Sequence, residues 1–222
     1  TAVTDPATRK APGSVVMVDN EAGTIDLKRG ANAEVPRPTS LVPLEIFNND
    51  VQRGSLRRVG EWAATNGIDG PGPHRAARDL LLRRAPRAGQ VVGAQLTTTD
   101  EHARAAAPRL VLQLDETYLA IQGPPGSGKT TVGAEMIVDL VRQGKSVGVT
   151  ANSHHVIGNL LRKAAECASK RGVELRIGQK PAQGEEPTCG AAEALDNDEV
   201  LDRLRDRSID VVGGTSWLWS RE

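Results

Sequence analysis

The chain of 222 residues sets 28 Lys and Arg against 28 Asp and Glu, and only 2% of its residues are aromatic. That length allows one or two domains with a real core, while the even charge balance excludes a global field pointing to nucleic acid or a membrane surface. With so few aromatic rings for base stacking, any nucleic-acid contact would fall mainly on the backbone.

From the N-terminus, Ser14 to Asp19 and Thr24 to Lys28 read as strands joined by Asn20-Glu21-Ala22-Gly23, where Gly23 can take a positive φ. Residues 1–48 are expected to form a β-barrel-like accessory segment, with this hairpin as one end of a small barrel and Pro36, Pro38 and Pro43 closing it. Residues 51–66 predict a helix with Leu56, Val59 and Trp62 on one side. NGIDGPGPH breaks it; a second helix follows over 74–84 and a third over 98–107, capped by Thr98 or Thr99. Residues 49–110 thus read as a helical stalk or linker. Its arginines, Arg57, Arg58, Arg83 and Arg84 among them, fit a nucleic-acid contact and a solvated helix face equally well.

The next stretch, YLAIQGPPGSGKTTVGAEMIVDLV from Tyr118 to Val141, carries the chemistry. Tyr118 to Ile121 predicts a short buried strand, and Val132, Met136, Ile137, Leu140 and Val141 recur at helical spacing. Between them stand Gly123, Pro124, Pro125, Gly126, Ser127, Gly128, Lys129 and Thr130, a glycine, four residues, then Gly-Lys-Thr. Glycines let successive N–H groups turn inward at phosphate oxygens, and the helix start adds partial positive charge. Lys129 would reach the terminal phosphates and the Thr130 hydroxyl would ligate Mg²⁺, so the loop is expected to hold a nucleoside triphosphate. The plainer reading is a glycine-rich turn with a solvated lysine.

Beyond the loop, KSVGVTA, VELRIG and IDVVGGTSWLW predict strands, and HHVIGNLLRKAAECASKRG and NDEVLDRLRDRS predict helices. This alternation argues for a parallel sheet covered on both faces. Trp217 and Trp219 are expected on one face of the last strand as partly uncovered core residues, and the acidic AQGEEPTCGAAEALDNDE as a surface loop. Cys167 and Cys189 lack CxxC spacing and read as reduced thiols of a cytoplasmic protein. The four histidines make no zinc pattern, and no apolar run suits a membrane span. A chain opening at Thr1 rather than Met is expected to be a piece of something longer.

IQGPPGSGKT, GVTANSHHVIGNLL and DVVGGTSWLW resemble motifs I, Ia and Ic of superfamily 1 helicases. The likeness is to the 5′-to-3′ branch that contains the nonsense-mediated-decay helicase and the Dna nuclease-helicases. TANSH and the hairpin VDNEAGTIDLKRG are most similar to bacterial fusions of a RecB-like nuclease to such a helicase. The resemblance implies an α/β fold, a P-loop NTPase (RecA-like) parallel sheet over 111–222, here incomplete, and ATP with Mg²⁺ as cofactors. It adds Thr131 to the triphosphate site, with Lys129 and Thr130 as its catalytic residues. It also implies that Asn152, Ser153, His154 and Thr215 meet single-stranded DNA or RNA at the ends of neighbouring parallel strands, where open α/β sheets place ligands. The partners it implies are a second RecA-like domain and a fused nuclease domain; no membrane is among them.

Two features depart from that pattern. The glutamine that reads adenine in the family has no counterpart in HARAAAP, and Gln95 and Gln113 fit the spacing poorly. The acidic pair that orients Mg²⁺ and water in these enzymes is expected just past Glu222. A different P-loop ATPase and a non-catalytic nucleic-acid-binding module stay open as alternatives.

Overall fold

In the computed structural model, which describes residues 2–31, 36–43, 48–90 and 93–221, the first 48 residues carry four strands. These are β1 (Val3–Thr4), β2 (Ser14–Asp19), β3 (Thr24–Lys28) and β4 (Val42–Pro43). The hairpin forms as its turn chemistry predicts: β2 and β3 pair antiparallel from Ser14↔Lys28 to Asp19↔Thr24, with a bulge between Val15 and Met17. The Asp19 carboxylate accepts the Glu21 and Ala22 N–H groups, which fixes the turn. β1 and β4 make a second antiparallel pair. Among the described residues neither two-stranded sheet gains a third strand, and Val16, Met17, Val18 and Ile25 remain exposed.

Residues Thr1–Asn48 form one compact unit and Asn49–Glu222 another. The division expected near residue 110 falls inside the second unit. There α1 (Asp50–Asn66), α2 (Arg75–Leu81) and α3 (Ala103–Val111) precede α4 (Lys129–Arg142). The sheet region follows as β5 (Val147–Val149), α5 (His154–Lys170), β6 (Ile177–Gln179), β7 (Ala192–Ala194), α6 (Asn197–Arg205), β8 (Val211–Gly213) and α7 (Ser216–Trp219). Its four strands are all parallel, in the order β5-β8-β6-β7.

Strand β8 shows why the sheet needs cover on both faces. Val211 points into a cluster with Ala134 and Ile137 of α4 and Ile157, Leu161 and Ala164 of α5. Its neighbour Val212 points the other way, into Leu195, Val200, Ile209 and Leu218. α5 can lie this close because residue 213 is glycine: a Cβ there would meet Ile157 Cγ2 at 2.5 Å and Leu161 Cδ1 at 2.7 Å.

Several elements depart from expectation, each for a local reason. Tyr118 to Ile121 joins no strand among the described residues, and Ile121 is exposed. The segment is held by the helical region instead, through Tyr118 Oη donating to the Arg84 carbonyl at 2.9 Å and Leu119 packing beside Ala88, Ala106 and Leu110. α3 starts five residues later than predicted because Thr98 is spent in a separate turn, its carbonyl accepting the Glu101 N–H. Glu101 in turn is drawn onto the Arg109 guanidinium at 2.6 Å. Leu56, expected on the covered side of α1, is 73% exposed. VELRIG forms a strand only from Ile177, and the acidic stretch is not all surface loop, since it supplies β7 and buries Cys189 and Leu195. IDVVGGTSWLW ends as a strand at Gly213 and turns into α7, so Trp217 and Trp219 leave the single face that a strand would give them. Trp219 folds back, its indole N–H lying 3.1 Å from the Val149 carbonyl and 3.0 Å from that of Gly214.

Candidate functional site

The glycine-rich loop takes the shape its sequence demands. Gly126 and Gly128 sit at φ 80° and 85°, left-handed positions that a side chain strains. Gly128 is the N-cap of α4, and the first bond of that helix runs from the Val132 N–H to the Gly128 carbonyl at 3.0 Å. The N–H groups of Lys129, Thr130 and Thr131 precede that bond and have no intrahelical acceptor. A Cβ on either glycine would meet nothing within 4 Å beyond its chain neighbours. A helix N-terminus with unspent N–H groups, beside glycines and a lysine, fits a polyphosphate.

Lys129 closes the loop on itself: its Nζ donates to the Gly123 carbonyl at 2.5 Å and the Pro124 carbonyl at 2.9 Å. The Ser127 N–H donates to the Pro124 carbonyl at 3.3 Å and completes the turn. Pro124, Pro125, Ser127, Lys129 and Thr130 are exposed, whereas Thr131 is half-buried. Thr131 lines a cavity of about 590 Å³ with Arg104, Pro108, Glu135 and Lys163. The Thr130 hydroxyl is the side-chain oxygen this loop offers a divalent cation next to the lysine. Among the described residues no group of three or more His, Cys, Asp or Glu could hold a metal by itself.

The four residues expected at the strand ends do emerge at one edge of the sheet. β5 and β8 are adjacent and parallel, and the Gly214 N–H donates to the Val149 carbonyl at 3.0 Å just before the two chains diverge. Asn152, Ser153 and His154 follow β5, and Thr215 follows β8. Ser153 is the N-cap of α5, its Oγ accepting the Val156 N–H at 3.2 Å. Asn152 and Thr215 make no side-chain hydrogen bond to the described residues, leaving their polar groups available. His154 is half-buried; its carbonyl accepts the Thr188 hydroxyl at 2.8 Å, and its Nδ1 is enclosed without a partner. No hydrogen bond among the described residues joins 118–128 to the strands, so the loop and the strand ends are not tied by a shared ladder.

Two residues at this edge escape a reading by motif. Gln179, fully buried, donates to Thr188 Oγ1 at 2.9 Å and accepts the Cys189 N–H at 3.2 Å, fastening the acidic stretch beneath α5. Lys180, next in sequence, donates its N–H to the Gly213 carbonyl at 2.8 Å and so lies beside Gly214 and Thr215. The available signal was that Gln179 directly continues an apolar strand, where a buried polar side chain needs several partners. Gln95 and Gln113 line one cavity of about 490 Å³.

At the opposite edge of the sheet, Arg176 holds the Asp210 carboxylate with two hydrogen bonds, at 2.6 and 3.0 Å, and adds its backbone N–H at 3.0 Å. Those bonds keep the Asp210 carboxyl below its ordinary pKa against the opposing effect of burial. The pair immediately precedes β6 and β8, at the opposite ends of those strands from Lys180 and Thr215.

Residues 98–205 match the family model for an AAA domain. Over 181 residues the chain is 29% identical to the DNA replication ATP-dependent helicase/nuclease DNA2 of Saccharomyces cerevisiae, an alignment covering 66% of this chain and 12% of that protein. Over 98 residues it is 35% identical to the DNA-binding protein SMUBP-2 of Mus musculus and 36% to that of Rattus norvegicus, covering 42% of this chain and 10% of each relative. The chain therefore spans about a tenth of the length of these curated relatives. The AAA-domain match takes in the glycine-rich loop, α4, β5, α5 and β6, and with the parallel sheet it gives this region the α/β fold of a P-loop NTPase.

Proposed function

We propose that the chain is the nucleotide-binding part of an ATP-dependent helicase or translocase acting on single-stranded nucleic acid. The observation that carries this reading is the pairing of two features on one fold: left-handed Gly126 and Gly128 at the head of α4, and polar Asn152, Ser153, His154 and Thr215 beyond the ends of adjacent parallel strands. In this account the loop N–H groups and Lys129 hold the triphosphate, with Thr130 as the ligand for Mg²⁺. Bound Mg²⁺ supplies charge neutralisation for the triphosphate. Thr131 supports the same helix start. The similarity to DNA2 and SMUBP-2, and the likeness to superfamily 1, support this reading.

The finer assignment follows the motifs: the 5′-to-3′ branch, a second RecA-like domain completing the ATPase site, and a nuclease domain fused as in the RecB-like proteins; cytoplasmic residence is proposed from the two free thiols, Cys167 and Cys189. At the strand ends, hydroxyl and N–H groups would meet phosphates, so binding should be independent of base sequence and should weaken as salt rises. Titration of fluorescent single-stranded oligonucleotides against the chain and a Ser153→Ala/Thr215→Ala double variant across a salt series tests this. The double variant should bind more weakly at every salt. Equal binding by both proteins would move the strand path elsewhere, to Arg57, Arg58, Arg83 and Arg84.

A further inference from the structure

We propose that Lys180 contacts a phosphate of the single-stranded nucleic acid; this rests on the strand-end reading above and adds a cation to its hydroxyl groups. β6 lies beside β8, and its last residue, Gln179, is in register with Gly213, so the two strands end together. The Lys180 N–H, donating to the Gly213 carbonyl at 2.8 Å, carries the pairing one residue further. Gln179 Nε2 donates to the His154 carbonyl at 3.4 Å, which ties the end of β6 to the start of α5 as well. The end of β6 is thus bonded to both segments that carry the expected strand contacts. Gln179 turns toward α5, whereas a Cβ on Gly178 would meet Leu195 and Ile209 on the other face. Pro181 disfavours helical backbone at Lys180, so the alternation continues and Lys180 falls on the Gly178 face. A Cβ on Gly214, one residue before Thr215, would meet Leu218 on that same face.

What this lysine lacks is an anion. Lys180 is half-buried, and its Nζ donates to the Pro181 carbonyl at 2.9 Å. Glu185 and Glu186 follow closely in sequence, yet among the described residues no carboxylate pairs with it. The opposite ends of the same two strands show the contrast. There Arg176, just before β6, holds Asp210, just before β8. At the carboxyl ends the lysine after β6 has a threonine, not an acid, after β8. A carbonyl leaves the ammonium charge uncompensated, and a half-buried cation has given up part of its hydration, so an anion gains more there than at a fully solvated lysine. Thr215 makes no side-chain hydrogen bond to the described residues and offers a hydroxyl near by. An uncompensated ammonium beside such a hydroxyl suits a phosphate oxygen, a contact that reads charge and not base sequence.

The test titrates fluorescent oligothymidylate and oligodeoxyadenylate against the chain, Lys180→Gln and Lys180→Arg across a salt series, and Mg·ATP against the same proteins. Lys180→Gln keeps a donor for the Pro181 carbonyl while removing the charge, and thermal unfolding is its folding control. One lost ammonium–phosphate contact should flatten the dependence of log K on log salt by about 0.7. Binding should weaken about fivefold near 0.1 M salt, alike for both oligonucleotides. Lys180→Met, which removes the charge without an amide, should give the same change of slope. Lys180→Arg should keep slope and affinity, and none of these variants should alter Mg·ATP binding. Weaker binding with an unchanged salt slope would mark Lys180 as merely structural and overturn the contact. If Lys180→Gln binds like the unaltered chain while Ser153→Ala/Thr215→Ala is weakened, the contact is overturned and the strand-end reading stands. Loss of Mg·ATP affinity with oligonucleotide binding intact would assign the charge to the triphosphate instead. Absence of any oligonucleotide binding by the unaltered chain would overturn both readings.

Discussion

The Lys129 ammonium lies 2.5 Å from the Gly123 carbonyl oxygen, so the glycine that opens the loop is also the anchor for its lysine. A Cβ at residue 123 would meet Ser127 Oγ at 2.5 Å. Gly123→Ala is expected to push Ser127 aside, reshape the loop and weaken Mg·ATP binding about tenfold, equivalent to ~1.4 kcal/mol. Gly123→Ala/Ser127→Gly, which removes the obstructing hydroxyl, should recover most of that loss in a binding titration. No recovery would mean that the close approach is not what requires glycine here.

Arg78 organises the NGIDGPGPH break. Its side chain is 3% exposed and donates to the carbonyls of Ile68, Gly70, Gly72 and Pro73 at 2.7–3.2 Å, while its guanidinium stacks over Trp62. A lysine cannot reproduce a planar fork with this many directed donors. Arg78→Lys should therefore destabilise the chain by roughly 2–4 kcal/mol in urea unfolding, since four carbonyls lose the donors of one buried guanidinium.

Stability should depend on pH through Asp210. Its folded pKa is depressed, chiefly by the hydrogen bonds from Arg176, so the bound carboxylate contributes stability above the ordinary aspartate pKa of about 3.9. That contribution falls away as pH drops through the lower, folded value. Denaturant unfolding of the chain and Asp210→Asn from pH 7 to pH 3 should show a constant gap down to about pH 5, shrinking below pH 4. A gap independent of pH would contradict the assignment.

The hairpin, α4, α5 and the strand ends were legible because each rests on local chemistry. The turn at Gly23, the apolar spacing after Lys129 and the Ser153 cap all lie within a few residues of what they determine. Tyr118 to Ile121 was misread because an apolar run with strand propensity does not reveal which neighbour holds it; here Arg84 and the Ala88–Leu110 cluster do. WLW at the chain end alternates as a strand would, yet the Trp219 indole finds the carbonyls of Val149, seventy positions earlier, and Gly214. That choice depends on a tertiary acceptor. The role of Gln179 was hidden for the same reason, since its partners Thr188 and Cys189 lie in a stretch whose acidic composition suggested only solvent.

Equilibrium titration of Mg·ATP into the chain and its Lys129→Ala variant tests the central claim most directly, with thermal unfolding as the control for folding. The Lys129 side chain is exposed and its amine bonds only to loop carbonyls, so removing it should leave the melting temperature nearly unchanged. The account predicts saturable binding by the unaltered chain and at least about tenfold weaker binding by Lys129→Ala, the loss of a point charge aimed at the phosphates. Equal affinity of the two proteins for Mg·ATP, with both folded, would contradict it.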